Sequence, residues 1–237
     1  MASPLGFTIM PKPAHQSWNV RPPLAFPVDY IHGFLGQFIR WWFRMTARLR
    51  IDYQGPVPRG GYVLACNHRS FLDPLALGCT LRRRIHYFAR ASLWKIPPIR
   101  WVLDLFGGIP VDRAKPQTTT IAAAVGVLRA GRPLLVFPEG TRTRTGRMGR
   151  FRDGPSLIAR RAQVPVIPVY LKDTEGSWPR GAPLPIPGRG KVHIVFGPWM
   201  WPDQSLSVRE RDAELTTRIE LWLQAQEQRL YTLRPPQ

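Results

Sequence analysis

The chain has 237 residues, enough for one domain with a full hydrophobic core, and its 34 Lys and Arg residues against 15 Asp and Glu give a net charge of +19. This charge predicts an anionic partner: nucleic acid, an anionic membrane surface or a phosphate-bearing substrate. Only two cysteines occur, both in apolar segments, which excludes a disulfide framework and a cysteine-rich metal site.

The N-terminal region divides into two parts. Residues 1–27 are rich in proline and lack a sustained apolar run, so we interpret them as an arm without a secretory signal. Residues 28–49 predict an amphipathic helix with a broad aromatic face and Arg residues opposite it. Trp41 and Trp42 within it are typical of a membrane interface, although no segment reaches the roughly 18 apolar residues of a spanning helix. Packing of this helix across the domain also fits, and the width of the apolar face favours membrane contact.

The next feature is the stretch 67–73, Asn-His-Arg-Ser-Phe-Leu-Asp, which follows a short apolar run at 62–66 and precedes helical spacing. This pattern predicts a strand, a turn and a helix, with His68 at the carboxyl edge of a sheet, where α/β proteins bind ligands. Asp73 follows His68 by five positions, so its carboxylate can hold one ring nitrogen and leave the other to accept a proton. A helix N-terminus capped by one of the polar residues of this stretch fits the same spacing.

Further along the chain, short apolar runs alternate with amphipathic segments. Strands are predicted at 50–54, 85–89, 109–111, 134–137, 166–171 and 191–196. Helices are predicted at 71–80, 118–128, 155–162 and 206–230, with two short helices between residues 93 and 106 separated at Pro97 and Pro98. We interpret residues 173–190 as a loop rich in Pro and Gly. The alternation predicts an α/β fold: a single domain over 50–237 with a mostly parallel central sheet flanked by helices, preceded by the amphipathic helix.

A second polar stretch, 138–142 (Pro-Glu-Gly-Thr-Arg), directly follows the strand predicted at 134–137. Together with 67–73 it resembles the paired motifs of the glycerolipid acyltransferase family, which includes lysophosphatidic acid and glycerol-3-phosphate acyltransferases. Two weaker blocks, 108–113 and 164–169, match the family in the same order. The resemblance extends from about residue 28 to residue 200.

The resemblance implies an enzyme of phospholipid biosynthesis. Its expected reaction moves a fatty acyl chain from acyl-CoA or acyl carrier protein to the free hydroxyl of lysophosphatidic acid and yields phosphatidic acid. Such a transfer needs a base, an oxyanion site and a grip on both substrates, but no metal or other cofactor. We expect His68 to be the base and Asp73 its orienter, with backbone N–H groups near the start of the following helix contributing to the oxyanion site.

The acceptor is expected to be held by residues at the same sheet edge. Arg113 and Arg142 are candidates for its phosphate, because a guanidinium can bind phosphate through two hydrogen bonds. Glu139, Gly140 and Thr141 would position the acceptor beside His68. Glu139 could instead be a second base, but a neighbouring Arg142 favours a structural, ionised carboxylate.

Two groups of alternatives stay open from the sequence. The acceptor could be glycerol-3-phosphate, another lysophospholipid or a lyso-aminolipid. The chain could also be a non-catalytic basic protein that binds membranes or nucleic acid. No nucleic acid is expected, because the aromatic residues concentrate in the N-terminal helix and do not alternate with Arg on strands. The expected location is the cytoplasmic face of an anionic membrane, as a peripheral or monotopic protein.

Overall fold

The computed structural model describes residues 28–81, 83–111, 117–142, 148–177 and 191–232. The strands are β1 (Arg50–Tyr53), β2 (Val63–Cys66), β3 (His86–Arg90), β4 (Gly108–Val111), β5 (Leu134–Val136), β6 (Val166–Lys172) and β7 (His193–Phe196). The helices are α1 (Val28–Ala47), α2 (Asp73–Gly78), α3 (Pro97–Leu105), α4 (Gln117–Arg129), α5 (Gly154–Ala162), α6 (Thr174–Ser177) and α7 (Val208–Thr232), with a 3₁₀ helix (Ala91–Lys95) before α3. The arm predicted at 1–27 lies outside the described residues.

The strands form one sheet in the order β1-β7-β6-β2-β5-β3-β4. The five strands from β6 to β4 run parallel, whereas β7 is antiparallel to β6 and β1 is parallel to β7. The predicted α/β fold with a mostly parallel sheet is therefore confirmed. The central strands β2, β5 and β6 are buried along their whole length, as expected for parallel strands covered on both faces.

Helices cover both faces of the sheet. Side chains along β2 alternate between two buried clusters, as the two-residue period of a strand requires. The cluster that contains Leu64 is covered by α1, α2 and α3, and the cluster that contains Val63 is covered by α4, α5 and α7. The loops at the carboxyl ends of the central strands lie between these two helical layers, and this is where the first motif stretch is found.

Several predicted boundaries differ from those observed. The helix predicted from Phe71 begins only at Asp73, because the Asp73 carboxylate accepts the backbone N–H groups of the preceding loop and Pro74 occupies the first turn. Within the loop predicted at 173–190, Thr174–Ser177 forms the helical turn α6, so that prediction was wrong there. The break between two short helices at the prolines is confirmed.

Helix α1 packs on the domain with one side and exposes apolar side chains on another. Its inner side packs on the core through Leu35, Ile39 and Trp42, with Phe43 and Ala47 fully buried. A second apolar row is exposed and follows a three- and four-residue spacing along the helix, with Phe34 81% exposed. This outer row consists of Ile31, Phe34, Phe38, Trp41 and Met45. In the described ranges, no helix is both long and apolar enough to cross a membrane.

Candidate active site

Three neighbouring strands bring distant parts of the chain to one edge of the sheet. Strands β5, β2 and β6 lie side by side and parallel, so their carboxyl ends meet. The segment after β2 carries His68 and Asp73, the segment after β5 carries Glu139, and the segment after β6 carries Thr174. This edge is the usual ligand-binding edge of a parallel sheet.

His68 and Asp73 form a hydrogen-bonded pair at this edge. The His68 Nδ1 to Asp73 Oδ2 distance is 2.8 Å, and the Asp73 side chain is completely buried. A carboxylate can only accept, so Nδ1 carries the proton and Nε2 is the nitrogen left to accept one. The ring stacks on Phe137, with the centroids 3.9 Å apart and the planes 15° from parallel. The spacing of five residues thus brings the imidazole and the carboxylate into hydrogen-bond contact, whereas helix α2 has no side-chain cap hydrogen bond at its N-cap residue, Leu72.

The backbone N–H groups of Arg69 and Ser70 also donate to Asp73 Oδ2, at 2.7 and 2.9 Å. The sequence-based expectation placed an oxyanion site at amides near the start of this helix. These two amides do not fit that role, because the buried carboxylate already occupies them. Their contribution is to fix Asp73 under the imidazole.

Asn67 connects the motif to the neighbouring strand. Its side-chain amide donates to the Leu171 carbonyl at 2.8 Å and accepts the Leu171 N–H at 2.7 Å, so it continues the ladder between β2 and β6 beyond Cys66. Burial raises the pKa of the Cys66 thiol well above its usual range. A buried, protonated thiol is a poor nucleophile, and both cysteines are free core residues in the structure, as the sequence predicts.

Glu139 links the second motif stretch to the first through a hydrogen bond. Its Oε1 accepts the His68 N–H at 2.9 Å, and its Oε2 accepts the Gly149 N–H at 2.9 Å. Burial raises the pKa of the Glu139 carboxyl, and these two hydrogen bonds oppose that shift. Because both oxygens accept backbone N–H groups, the arrangement favours a structural role for Glu139 over that of a second base.

The basic residues near this edge are only partly within the described ranges. The Arg142 guanidinium lies over the exposed ring of Phe71, with Cζ 3.6 Å from the ring centroid. Gly140 adopts a positive φ of 68°, and a Cβ built on it would lie 3.8 Å from Arg152 Cζ. Thr141 between them is exposed. Strand β4 ends at this same edge, but Arg113 beyond it lies outside the described residues.

Sequence reasoning missed the residues that contact the buried side of the His68–Asp73 pair and its loop. The hydroxyl of Thr174 donates to Asp73 Oδ1, and the buried guanidinium of Arg69 contacts Glu175. Arg69 also donates to Tyr170, Glu227 and Tyr231. The sequence does place a polar residue, Thr174, just after the buried strand β6. That position indicates a contact with Asp73 only if β6 is known to lie beside β2. Among the described side chains, no group of three or more His, Cys, Asp or Glu residues could hold a metal ion.

Several known proteins are similar to this chain in sequence or in fold. A 1-acyl-sn-glycerol-3-phosphate acyltransferase of Pseudomonas aeruginosa is 29% identical over 216 residues, which cover 87% of this chain and 81% of that protein. A chloroplastic 1-acyl-sn-glycerol-3-phosphate acyltransferase of Brassica napus is 32% identical over 136 residues, or 56% of this chain, and the match spans only 39% of that longer protein. The crystal structure of the 1-acyl-sn-glycerophosphate acyltransferase PlsC from Thermotoga maritima has the same fold, with a TM-score of 0.67 at 23% identity, covering 88% of this chain and 81% of that one.

A model of the family described as Acyltransferase matches residues 48–172. The matched region contains both motif stretches and strands β1 to β6. Since it covers more than half of the 237 residues, the chain belongs to the acyltransferase family.

Proposed function

We propose that this protein acylates lysophosphatidic acid to phosphatidic acid, with acyl-CoA or acyl carrier protein as the donor. The observation that carries the proposal is the buried Asp73 carboxylate bonded to His68 Nδ1 at the carboxyl edge of the sheet. This geometry leaves Nε2 to accept a proton from a substrate hydroxyl. The similarity to two 1-acyl-sn-glycerol-3-phosphate acyltransferases supports lysophosphatidic acid as the acceptor.

The proposed reaction is a direct transfer. His68 Nε2 removes the proton as the acceptor hydroxyl oxygen attacks the thioester carbonyl carbon. The tetrahedral intermediate collapses, the carbon–sulfur bond breaks, and the leaving thiolate takes the proton from the imidazolium. Asp73 stabilises the transient positive charge on the ring. An ester and a free thiol result, and all atoms and electrons come from the two substrates.

A lipid product analysis tests the acceptor. The purified protein is offered lysophosphatidic acid, glycerol-3-phosphate, lysophosphatidylcholine and a lyso-aminolipid, each with acyl-CoA and with acyl carrier protein as donor. The proposal predicts phosphatidic acid as the main product. Preferential acylation of another acceptor would overturn the assignment of the substrate while leaving the reaction class intact.

Replacement of Arg142 by alanine tests the proposed phosphate contact. Arg142 and Arg113 are the residues that we assign to the acceptor phosphate. Loss of one charged hydrogen bond costs about 1.5–3 kcal/mol, so Arg142→Ala should lower kcat/KM for lysophosphatidic acid by roughly 10- to 150-fold. Steady-state kinetics against varied acceptor and varied donor will separate the two substrates.

The matched control for this test is Arg209→Ala, which removes an exposed guanidinium from the first turn of α7. It should leave both substrate profiles unchanged. If Arg142→Ala alters only the dependence on the donor, the phosphate assignment is wrong.

We further propose that α1 holds the protein on the cytoplasmic face of an anionic membrane. In this proposal the chain has three parts. Residues 28–49 form the membrane-associating helix, residues 50–237 form the acyltransferase domain, and residues 1–27 precede both as an arm. The outer row of α1 supports the proposal, because these five large apolar side chains are exposed while the inner side already packs on the core. The exposed Arg44 and Arg48 lie near the C-terminal end of the helix, and each can contribute about 1 kcal/mol on anionic lipid.

The double variant Phe34→Ser/Trp41→Ser tests this contact without disturbing the inner side of α1. Burial of a large apolar side chain contributes about 1.5–3 kcal/mol, so the pair should lower the partition coefficient for anionic vesicles on the order of 100-fold or more. The measurement is co-flotation with anionic and with neutral liposomes across salt concentrations. The wild-type protein should bind anionic vesicles more strongly and should be loosened, but not released, by salt.

The matched control is Leu221→Ser, which removes a side chain of α7 that is 52% exposed on the opposite layer of the fold. Its flotation should equal that of the wild type. Equal flotation of the α1 double variant would show that the membrane contact lies elsewhere.

A further inference from the structure

The carboxylate of Asp73 is held from two sides. Its Oδ2 accepts His68 Nδ1 and the N–H groups of Arg69 and Ser70, all from its own loop. Its Oδ1 accepts the hydroxyl of Thr174 at 2.6 Å, from a segment 101 residues further along the chain. Both Asp73 and Thr174 are completely buried. The carboxylate is therefore anchored at each oxygen by a different part of the fold.

This second anchor matters because the terminal torsion of an aspartate side chain is soft. Rotation about the Cβ–Cγ bond moves both oxygens, and the three donors on Oδ2 restrain this rotation at one oxygen only. A donor on Oδ1 from a separate element restrains it at the other oxygen as well. Threonine suits the position, because its hydroxyl donates to a carboxylate and its branched Cβ restricts the side chain to few rotamers.

The backbone around Thr174 is shaped to present that hydroxyl. Asp173, between β6 and α6, has a positive φ of 61°, an unusual conformation for a residue other than glycine. This left-handed residue lets the chain turn sharply from the end of β6 into α6. Such a backbone outlier persists only where the surrounding contacts maintain it, and outliers of this kind concentrate at functional sites.

A second contact fixes α6 to the motif loop. Glu175, next to Thr174, accepts Arg69 Nη1 at 3.0 Å. The Arg69 guanidinium, whose side chain is only 2% exposed, also reaches Glu227 and Tyr231 on α7. Hydrogen bonds thus connect the turn α6, the motif loop and the end of α7 into one unit next to His68. A displacement of α6 would therefore also move Asp73.

We propose that Thr174 is a positioning residue for the His68–Asp73 pair, which it serves by donating to Asp73 Oδ1 and so aiming Oδ2 at the imidazole. The inference rests on the proposed function, since it assigns Thr174 a part in the same proton transfer. Thr174 does not touch the substrates or the reacting atoms. Its removal should therefore lower the rate of the chemical step and leave substrate binding largely unchanged.

The test compares Thr174→Val, which keeps the shape and removes the donor, with Thr174→Ser, which keeps the donor. Thr174→Val should lower kcat by between about 10-fold and 100-fold with little change in KM, and Thr174→Ser should restore most of the rate. The matched control is Thr216→Val, which removes another buried threonine hydroxyl, bonded to Ser156 and to the Asp212 carbonyl. This control should retain the wild-type kcat even if it lowers the melting temperature. If Thr174→Val does not fold, Thr174→Cys, of similar size and only a weak donor, takes its place.

A second readout does not depend on turnover. The ring N–H proton of His68 in its bond to Asp73 should give a downfield proton resonance, assigned by its loss in His68→Gln. Thr174→Val should shift or broaden this resonance, whereas Thr174→Ser and Thr216→Val should not. If the wild-type protein fails to acylate any lysolipid, the proposed function is wrong and this resonance still decides the role of Thr174. An unchanged resonance or a wild-type kcat in folded Thr174→Val, or equal losses in Thr174→Val and Thr174→Ser, would overturn the proposal.

Discussion

Replacement of His68 by alanine is expected to lower kcat for lysophosphatidic acid acylation by about 100-fold or more. The loss follows from removing the only group that we assign to take the hydroxyl proton. The fold should survive, because the ring lies at the rim of the sheet against Phe137 and is still 18% exposed. The measurement is steady-state kinetics, accompanied by thermal unfolding of the same protein samples.

A matched control for His68→Ala exists in the same sheet. His193 is also bonded to a carboxylate, through Nε2 to Asp52 Oδ2 at 2.8 Å, but on the outer strands β7 and β1. His193→Ala removes a comparable pair and should retain most of the activity. Near-wild-type turnover of a folded His68→Ala protein would refute the general-base mechanism.

Replacement of Asp73 by asparagine is expected to lower kcat by about 100-fold to 10,000-fold. The amide keeps the size of the carboxylate, but it brings an N–H₂ group to a place where every neighbour given above donates. Either His68 or Thr174 then faces a donor, and the imidazole loses the charge that stabilises its protonated form. A stability loss of about 1–3 kcal/mol should accompany the change, because a buried donor is left unsatisfied.

The control for this second change is Asp52→Asn, which makes the same substitution in the His193 pair. Kinetics and melting temperature of both variants separate the loss of orientation from a general loss of stability. If Asp52→Asn and Asp73→Asn reduce kcat equally, or if Asp73→Asn turns over normally, Asp73 does not orient the base.

The parts of the site that the sequence could predict are those within one short segment. His68 and Asp73 are five residues apart, and a strand followed by a turn and a helix is enough to bring them together. The edge at which they lie follows from the alternation of strands and helices, which predicts parallel strands. The hydrogen bond between them required no knowledge of the rest of the chain.

Other contacts depend on the order of the strands, which local patterns do not encode. Thr174 reaches Asp73 only because β6 lies beside β2, and the sequence presents residues 173–190 as an ordinary loop. The reversed direction of β7 is equally invisible, because a buried strand has the same apolar run whichever way it points. The sequence also does not show that Asp73 accepts the N–H groups of Arg69 and Ser70, which makes these two amides unsuitable for an oxyanion site.

The division of the apolar face of helix α1 between core contacts and exposed surface could not be predicted from the sequence either. Its pattern predicted a wide apolar face but did not show how that face divides between protein and surroundings. In the structure, Trp42 packs edge-on against Phe43, whereas the adjacent Trp41 is 57% exposed. Neighbouring tryptophans with equal propensities therefore have different environments, which only the position of the core decides.

The most direct test of acyl transfer by the His68–Asp73 pair measures thiol release from an acyl thioester in the presence and in the absence of lysophosphatidic acid. The acyl chain carries an isotopic label, and mass spectrometry follows the label into the lipid product. Direct transfer predicts that thiol release requires the acceptor, matches labelled phosphatidic acid one to one, and falls to background in His68→Ala. Release that is independent of the lysolipid would contradict acyl transfer to that acceptor. Absence of both release and product with every acceptor and donor would contradict acyl transfer by this chain altogether.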